Sequence, residues 1–202
     1  ERGAVPQLER GHHAVADRIV GHRIHDHGPH VGVLGDDRLD RRGELTLRVA
    51  STALVEPSDS VKGALDRLED FRRSYKSEML KVHSAKFFLD GVFENRTAAM
   101  IDGYKDEIGG NAPVMFGENH LRELFIAMDA ARFQIHVHVI GDNAARAALD
   151  GLEAAREVNG EWPSLHQLAH VQLVRPEDIP RFGKLGVMAN IQPLWARNEP
   201  SV

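Results

Sequence analysis

The feature that most limits what this chain can fold into is a repetition. Short aliphatic and β-branched runs alternate with helix-like stretches at roughly forty residues per unit. The runs are VGVLG (31–35), LTLRVASTALV (45–55), VHSAKFFLDG (82–91), QIHVHVIGD (134–142), LHQLAHVQLV (165–174) and VMANIQP (187–193). Between them, residues 60–76 carry Val61, Leu65, Leu68 and Phe71 at helical spacing, and His120–Arg132 carries Leu121, Leu124, Phe125 and Met128. NAARAALDGLEAAREV (143–158) is alanine-rich and helix-favouring, with Asp142 placed to cap it. PEDIPRFGKLG (176–186) is a shorter helix ending on glycine. Strand–helix alternation of this kind builds a parallel sheet wrapped by helices, with fold class α/β. A closed (β/α) barrel needs eight strands, and six are legible, so an incomplete TIM-barrel is expected.

Residues 1–27 read differently. AVADRIV (14–20) has short helical character, but the segment, with its closely spaced histidines, has weak periodicity and ends in a Gly28-Pro29 turn. The expected organisation is a poorly defined segment at 1–27 and one domain over 28–202. The chain has 202 residues, no cysteine and a formal net charge of −5. Disulfides and thiolate ligands are thereby excluded, and nothing marks a nucleic-acid surface. No apolar run reaches the length of a membrane span and the first residues are not a signal peptide, so a cytoplasmic location is expected.

Twelve histidines stand out in the composition, and their positions decide which of them matter. In parallel α/β folds the site gathers at the carboxyl ends of the strands. His138 lies near such an end, just before Gly141-Asp142, and His136 shares its face one layer deeper. His170 occupies the corresponding place in the next strand, with His166 at the same parity four residues earlier. Two histidines from consecutive strands suit a zinc-like ion but do not complete its shell. Lys86 is unusual because it sits inside an apolar run, where an unpaired ammonium is costly. Three arrangements suit it: pairing with Asp90, snorkelling to a loop, or reaction with carbon dioxide to a carbamate that bridges metal ions.

Three segments carry a family resemblance: KFFLDGVFENRTAAM (86–100), HVIGDNAARAALDGLEAA (138–155) and HQLAHVQLVRPEDIPRFGKLGVMANIQ (166–192). Together they resemble the amidohydrolase superfamily, in particular its N-substituted formamide deformylase-like metal-dependent hydrolases. GPHVGVLGD (28–36) and LTLRVA (45–50) resemble the second and third barrel strands more loosely. The resemblance implies a (β/α) barrel of the metal-dependent hydrolase type, covering about strands 2 to 7 of eight. It also implies Lys86, carboxylated, as the fourth-strand bridging group, and His138 and His170 as the fifth- and sixth-strand metal ligands. One or two divalent ions, zinc by the donor chemistry, would activate water against a C–N bond of a small amide-like substrate. Asp90, Asp142, His136, His166 and Gln192 are expected to support the ligands or touch substrate.

Three departures qualify this. The first-strand His-x-His and the eighth-strand aspartate of the family have no counterpart in this sequence, and GHRIHDHG (21–28) has the wrong context to replace the former. Where relatives carry Arg-x-Glu-His, this chain has Gln167-Leu168-Ala169-His170. The expected alternative to an enzyme is therefore a barrel without catalytic activity, acting as a structural or interaction domain. Open sheet edges would then favour self-association.

Overall fold

The computed structural model describes residues 37–105 and 108–192; the expected strand at 31–35, the segment 1–27 and Pro193 lie outside them. Five strands and four longer helices alternate: β1 (Val49–Leu54), α1 (Val61–Ser74), β2 (Leu80–Phe88), α2 (Glu118–Ala130), β3 (Gln134–Val139), α3 (Asp142–Asn159), β4 (Gln167–His170), α4 (Ile179–Leu185) and β5 (Met188–Asn190). The strands form one sheet in the order β1-β2-β3-β4-β5, and every pairing is parallel. Sequential parallel strands joined through helices are the arrangement of a (β/α) barrel, here incomplete among the described residues. No helix among the described residues is long and apolar enough to cross a membrane.

The helices form where the sequence spacing places them. Ser60 caps α1, its Oγ accepting from the Gly63 amide at 3.1 Å, and Ala64 and Leu68 face inward. In α2 the buried stripe is Leu121, Leu124, Phe125 and Met128. In α3 small residues line the inner face, so α2 comes close enough for Phe125 to lie over Gly151, where an added Cβ would stand 2.8 Å from its ring. Phe87 of β2 meets Phe125 edge-on at 4.9 Å between centroids, joining sheet to helix layer. Asp142 does not cap α3. Gly141 holds the N-cap position and Asp142 is the first helical residue; its carboxylate accepts instead from Ile101 N at 2.8 Å and Arg175 Nε at 2.7 Å. Competing donors from two loops draw it away from the helix amides.

The sheet register decides which side chains face away from the helices. Cα partners in a parallel sheet share a face. Leu54 aligns with Lys86, Lys86 with His136 and His136 with Gln167; one layer above, Phe88 aligns with His138 and His138 with Ala169. Ala85, Phe87 and Leu89 on the other face join the core against the helices. A slip in β2 makes this possible. Ser51 pairs with Val82, but Thr52 pairs with Ser84, so His83 is an extra residue. Val82 and Ala85 can therefore both serve the helix-side core, while Ser84 and Lys86 turn to the inner face.

β4 and β5 are shorter than the apolar runs that predict them. Leu165 has φ 52°, and His170 and Val171 have φ 76° and 50°, which end the extended conformation on both sides of β4. Left-handed backbone is uncommon for any residue with a Cβ and most costly for a β-branched one such as Val171.

The turn between β3 and α3 tolerates no side chain at Gly141. A Cβ there would lie 2.0 Å from the Ala99 carbonyl oxygen. Gly141→Ala is expected to lower unfolding free energy by about 2–3 kcal/mol. Urea denaturation of the two proteins checks this, with a lowered midpoint at unchanged slope as the expected result.

Candidate functional site

Lys86, His136, His138 and His170 come together on the inner face. His138 reaches it by strand parity alone. His170 does not, because its register partner is Val139, which packs toward the helices. The left-handed turn at His170 redirects its side chain, and the two imidazoles meet with ring centroids 4.6 Å apart. Both rings are hydrogen-bonded. His138 Nε2–H donates to the Gly91 carbonyl at 2.9 Å, and His170 Nδ1–H donates to Gln192 Oε1 at 2.8 Å. Because those oxygens can only accept, the tautomers follow, and the ring lone pairs lie at His138 Nδ1 and His170 Nε2. Fixing one nitrogen so that the other can coordinate is how proteins orient imidazole ligands. His170 lies below its ordinary pKa, chiefly through burial and also through Lys86, against an opposing hydrogen bond to Gln192.

Asp90 sets the position of the Gly91 carbonyl. Its carboxylate is buried and accepts from the amides of Ile140 (3.0 Å), Gly141 (2.8 Å) and Ala99 (3.0 Å). Burial pushes it up to about 6 despite those three donors. It does not pair with Lys86. Asp90 Oδ1 stands 3.7 Å from His138 Nε2, too far for a hydrogen bond.

Lys86 is 7% exposed, and its ammonium lies 4.7 Å over the Phe88 ring. Burial alone lowers its pKa to about 8. His136 is 1% exposed, with neither ring nitrogen hydrogen-bonded. Burial first, then the charges of Lys86, His170, His138 and His83, holds it down to about 3, so it is a neutral imidazole.

Two expected site residues lie elsewhere. His166 faces the helix layer, its Nδ1 accepting from Ile135 N at 3.0 Å and its Nε2–H donating to Asp129 Oδ1 at 2.8 Å. Asp129 also accepts from Trp162 Nε1 at 2.6 Å and Asn159 at 2.9 Å, an arrangement that ties α2 to the end of α3. Asp142 belongs to a loop clamp: Arg175 bridges it and Asp102, fastening the loops after β2 and β4. Neither Arg175 nor Asp129 is visible as a site residue in sequence, since their partners are about thirty or more positions away.

Among the described residues no group of three His, Cys, Asp or Glu stands close enough to hold a metal ion. His138 and His170 have the right chemistry, Lys86 would need modification to join them, and Asp90 is spent on amides. The described residues do not close a coordination shell.

The Amidohydrolase family model matches residues 37–200. The chain belongs to the amidohydrolase family. It is similar to the exoenzymes regulatory protein AepA of Pectobacterium carotovorum subsp. carotovorum, 25% identical over 79% of this chain and 34% of that protein. It is also similar to the protein LONG AFTER FAR-RED 3 of Arabidopsis thaliana, 29% identical over 70% of this chain and 24% of that protein. An uncharacterized metal-dependent hydrolase from Pyrococcus furiosus superposes with a TM-score of 0.65 and 25% identity, over 80% of this chain and 32% of that one. The chain thus spans about a third or less of the length of these family relatives.

The Lys86 environment gives a pH prediction. Its folded pKa of about 8 is below the unfolded value, about 10.4. Between those values the unfolded chain keeps a proton that the folded chain has lost, so stability rises with pH through that window. Relative to Lys86→Met, the wild type is expected to gain roughly 2–3 kcal/mol from pH 8 to 10.5. Paired urea titrations across that range measure it; a carboxylated Lys86 would show no such gain.

Proposed function

We propose that this segment is the ligand-bearing middle of an amidohydrolase-family barrel and that, taken alone, it is a structural unit without hydrolytic turnover. The observation that carries this is the unfinished donor set: two oriented imidazoles, with no third His, Cys, Asp or Glu in reach among the described residues. The loss of the Arg-x-Glu before His170 supports it, since Gln167 and Ala169 supply no carboxylate to the ligand shell. β1 and β5 end the sheet of described residues, and their outer edges give such a unit its surface for the rest of the barrel or for a second copy.

A second reading rests on the convergence of His138 and His170 above a buried lysine. In it the whole protein is a cytoplasmic metal-dependent hydrolase of a C–N bond in a small amide-like substrate, akin to the N-substituted formamide deformylase-like branch. The family's divalent ion, zinc by the donor chemistry, supplies acidified water and a polarised carbonyl when bound. His138 and His170 would contribute to holding it, with Lys86 joining as a carbamate. Asp90 and Gln192 position the two imidazoles in either case.

With an N-aryl formamide and added zinc, this chain is expected to hydrolyse no faster than zinc alone. A zinc titration by calorimetry is expected to saturate weakly and to lose its heat in His138→Ala and His170→Ala. Zinc-dependent turnover at an ordinary enzymatic rate, about 1 s⁻¹ or more, would replace the structural reading with the hydrolytic one.

A further inference from the structure

A cleft of about 280 Å³ opens between the N-terminal halves of α2 and α3, in the helix layer and away from the inner face of the sheet. Val114, Phe116, Leu121 and Ala147 give it an apolar lining. Phe116 is nearly buried and fixed by its contact with Phe87, 5.7 Å between ring centroids, so this part of the floor is rigid. The polar groups at the rim differ in what they already hold. Arg146 donates to Glu177 and Asp178, and Asp150 accepts from Arg181. Glu118, Arg122 and the Asn143 carboxamide have no side-chain hydrogen bond or ion pair among the described residues. Glu118 and Arg122 stand one turn apart on α2, about 6 Å along its axis, a spacing at which glutamate and arginine commonly pair. They do not pair here. The cleft therefore offers one free carboxylate, one free guanidinium and one free carboxamide beside an apolar floor.

We propose that this cleft binds a small zwitterion with an apolar side chain, of the class of free α-amino acids such as leucine. A simple carboxylate would suit Arg122 but meet Glu118 as a like charge, and a simple amine would suit Glu118 but meet Arg122. A ligand that carries both charges side by side satisfies both. Its carboxylate accepts from the Arg122 guanidinium and the Asn143 amide, and its ammonium donates to Glu118. The apolar side chain then covers Phe116 and Leu121, removing their accessible surface from water. The volume agrees with this class. At roughly 30 Å³ for each water-sized group, the cleft holds about nine heavy atoms, about the heavy-atom count of leucine. This inference goes beyond the proposed function, because the cleft lies in the helix layer and binding there needs neither a metal ion nor turnover.

The test is a titration of the full chain with L-leucine, followed by ¹H–¹⁵N NMR with a chelator present so that no metal ion recruits the ligand to the imidazoles. Saturation is expected at about 1–10 mM, with the Arg122 Nε–H and Asn143 carboxamide resonances moving along one isotherm. 4-Methylpentanoate lacks the ammonium, 3-methylbutylamine lacks the carboxylate and glycine lacks the apolar side chain. Each is expected to bind at least about fivefold more weakly than leucine. Arg122→Gln and Glu118→Gln, both at exposed positions, are each expected to weaken leucine binding by about fivefold. Glu123→Gln, exposed on the same helix but outside the cleft, should leave the affinity within about twofold. Absence of saturation by about 50 mM, equal binding of any of the three analogues, or equal affinity in both cleft variants overturns the proposal. Should either variant fail to fold by circular dichroism, the analogue series on the wild type decides: leucine binding tightest supports the site, and equal binding overturns it.

Discussion

The arrangement of the inner face depends on one carboxylate. Asp90 follows β2 and receives three amides, one from its own loop at Ala99 and two from the β3–α3 turn at Ile140 and Gly141. Those bonds draw Gly141 against Ala99 so closely that only glycine fits, and they place the Gly91 carbonyl where it receives His138 Nε2–H. A single buried acid therefore joins two βα turns and orients a ring on the inner face. Hydrogen bonds from three amides offset much of the cost of burying it, although burial still pushes its pKa up to about 6.

Two local irregularities complete the site. The extra residue at His83 changes the face of β2 midway, so its first half feeds the helix-side core and its second half turns Ser84 and Lys86 inward. The left-handed turn at His170 and Val171 reverses the facing of a residue that ordinary alternation would bury against the helices. Both cost regular strand geometry, and both lie next to the polar cluster. Such strain concentrates where side chains must be aimed.

Much of this was legible in the sequence. The strand–helix order and the inner-face pairing of His136 with His138 follow from period-2 and helical spacing, and Lys86 is conspicuous as a charge in an apolar run. What escaped was long-range. Asp142 has the residue type of a cap, but Arg175 and Ile101 compete for it from other loops. His166 and His170 share strand parity, yet one pairs with Asp129 beneath the sheet and the other joins His138, because only the backbone turn separates their fates. Periodicity cannot report a left-handed residue that is not glycine. Nor can it tell whether Lys86 finds a carboxylate, which depends on how many amides Asp90 has already accepted.

The central claim is that the half-site is formed by the backbone before any ion or ligand arrives. A crystal structure of the metal-free chain tests it most directly. The account predicts positive φ at His170 and Val171, with the His138 and His170 ring centroids within about 5 Å of each other. An extended backbone at His170, with its ring turned toward α3 and away from His138, would contradict it.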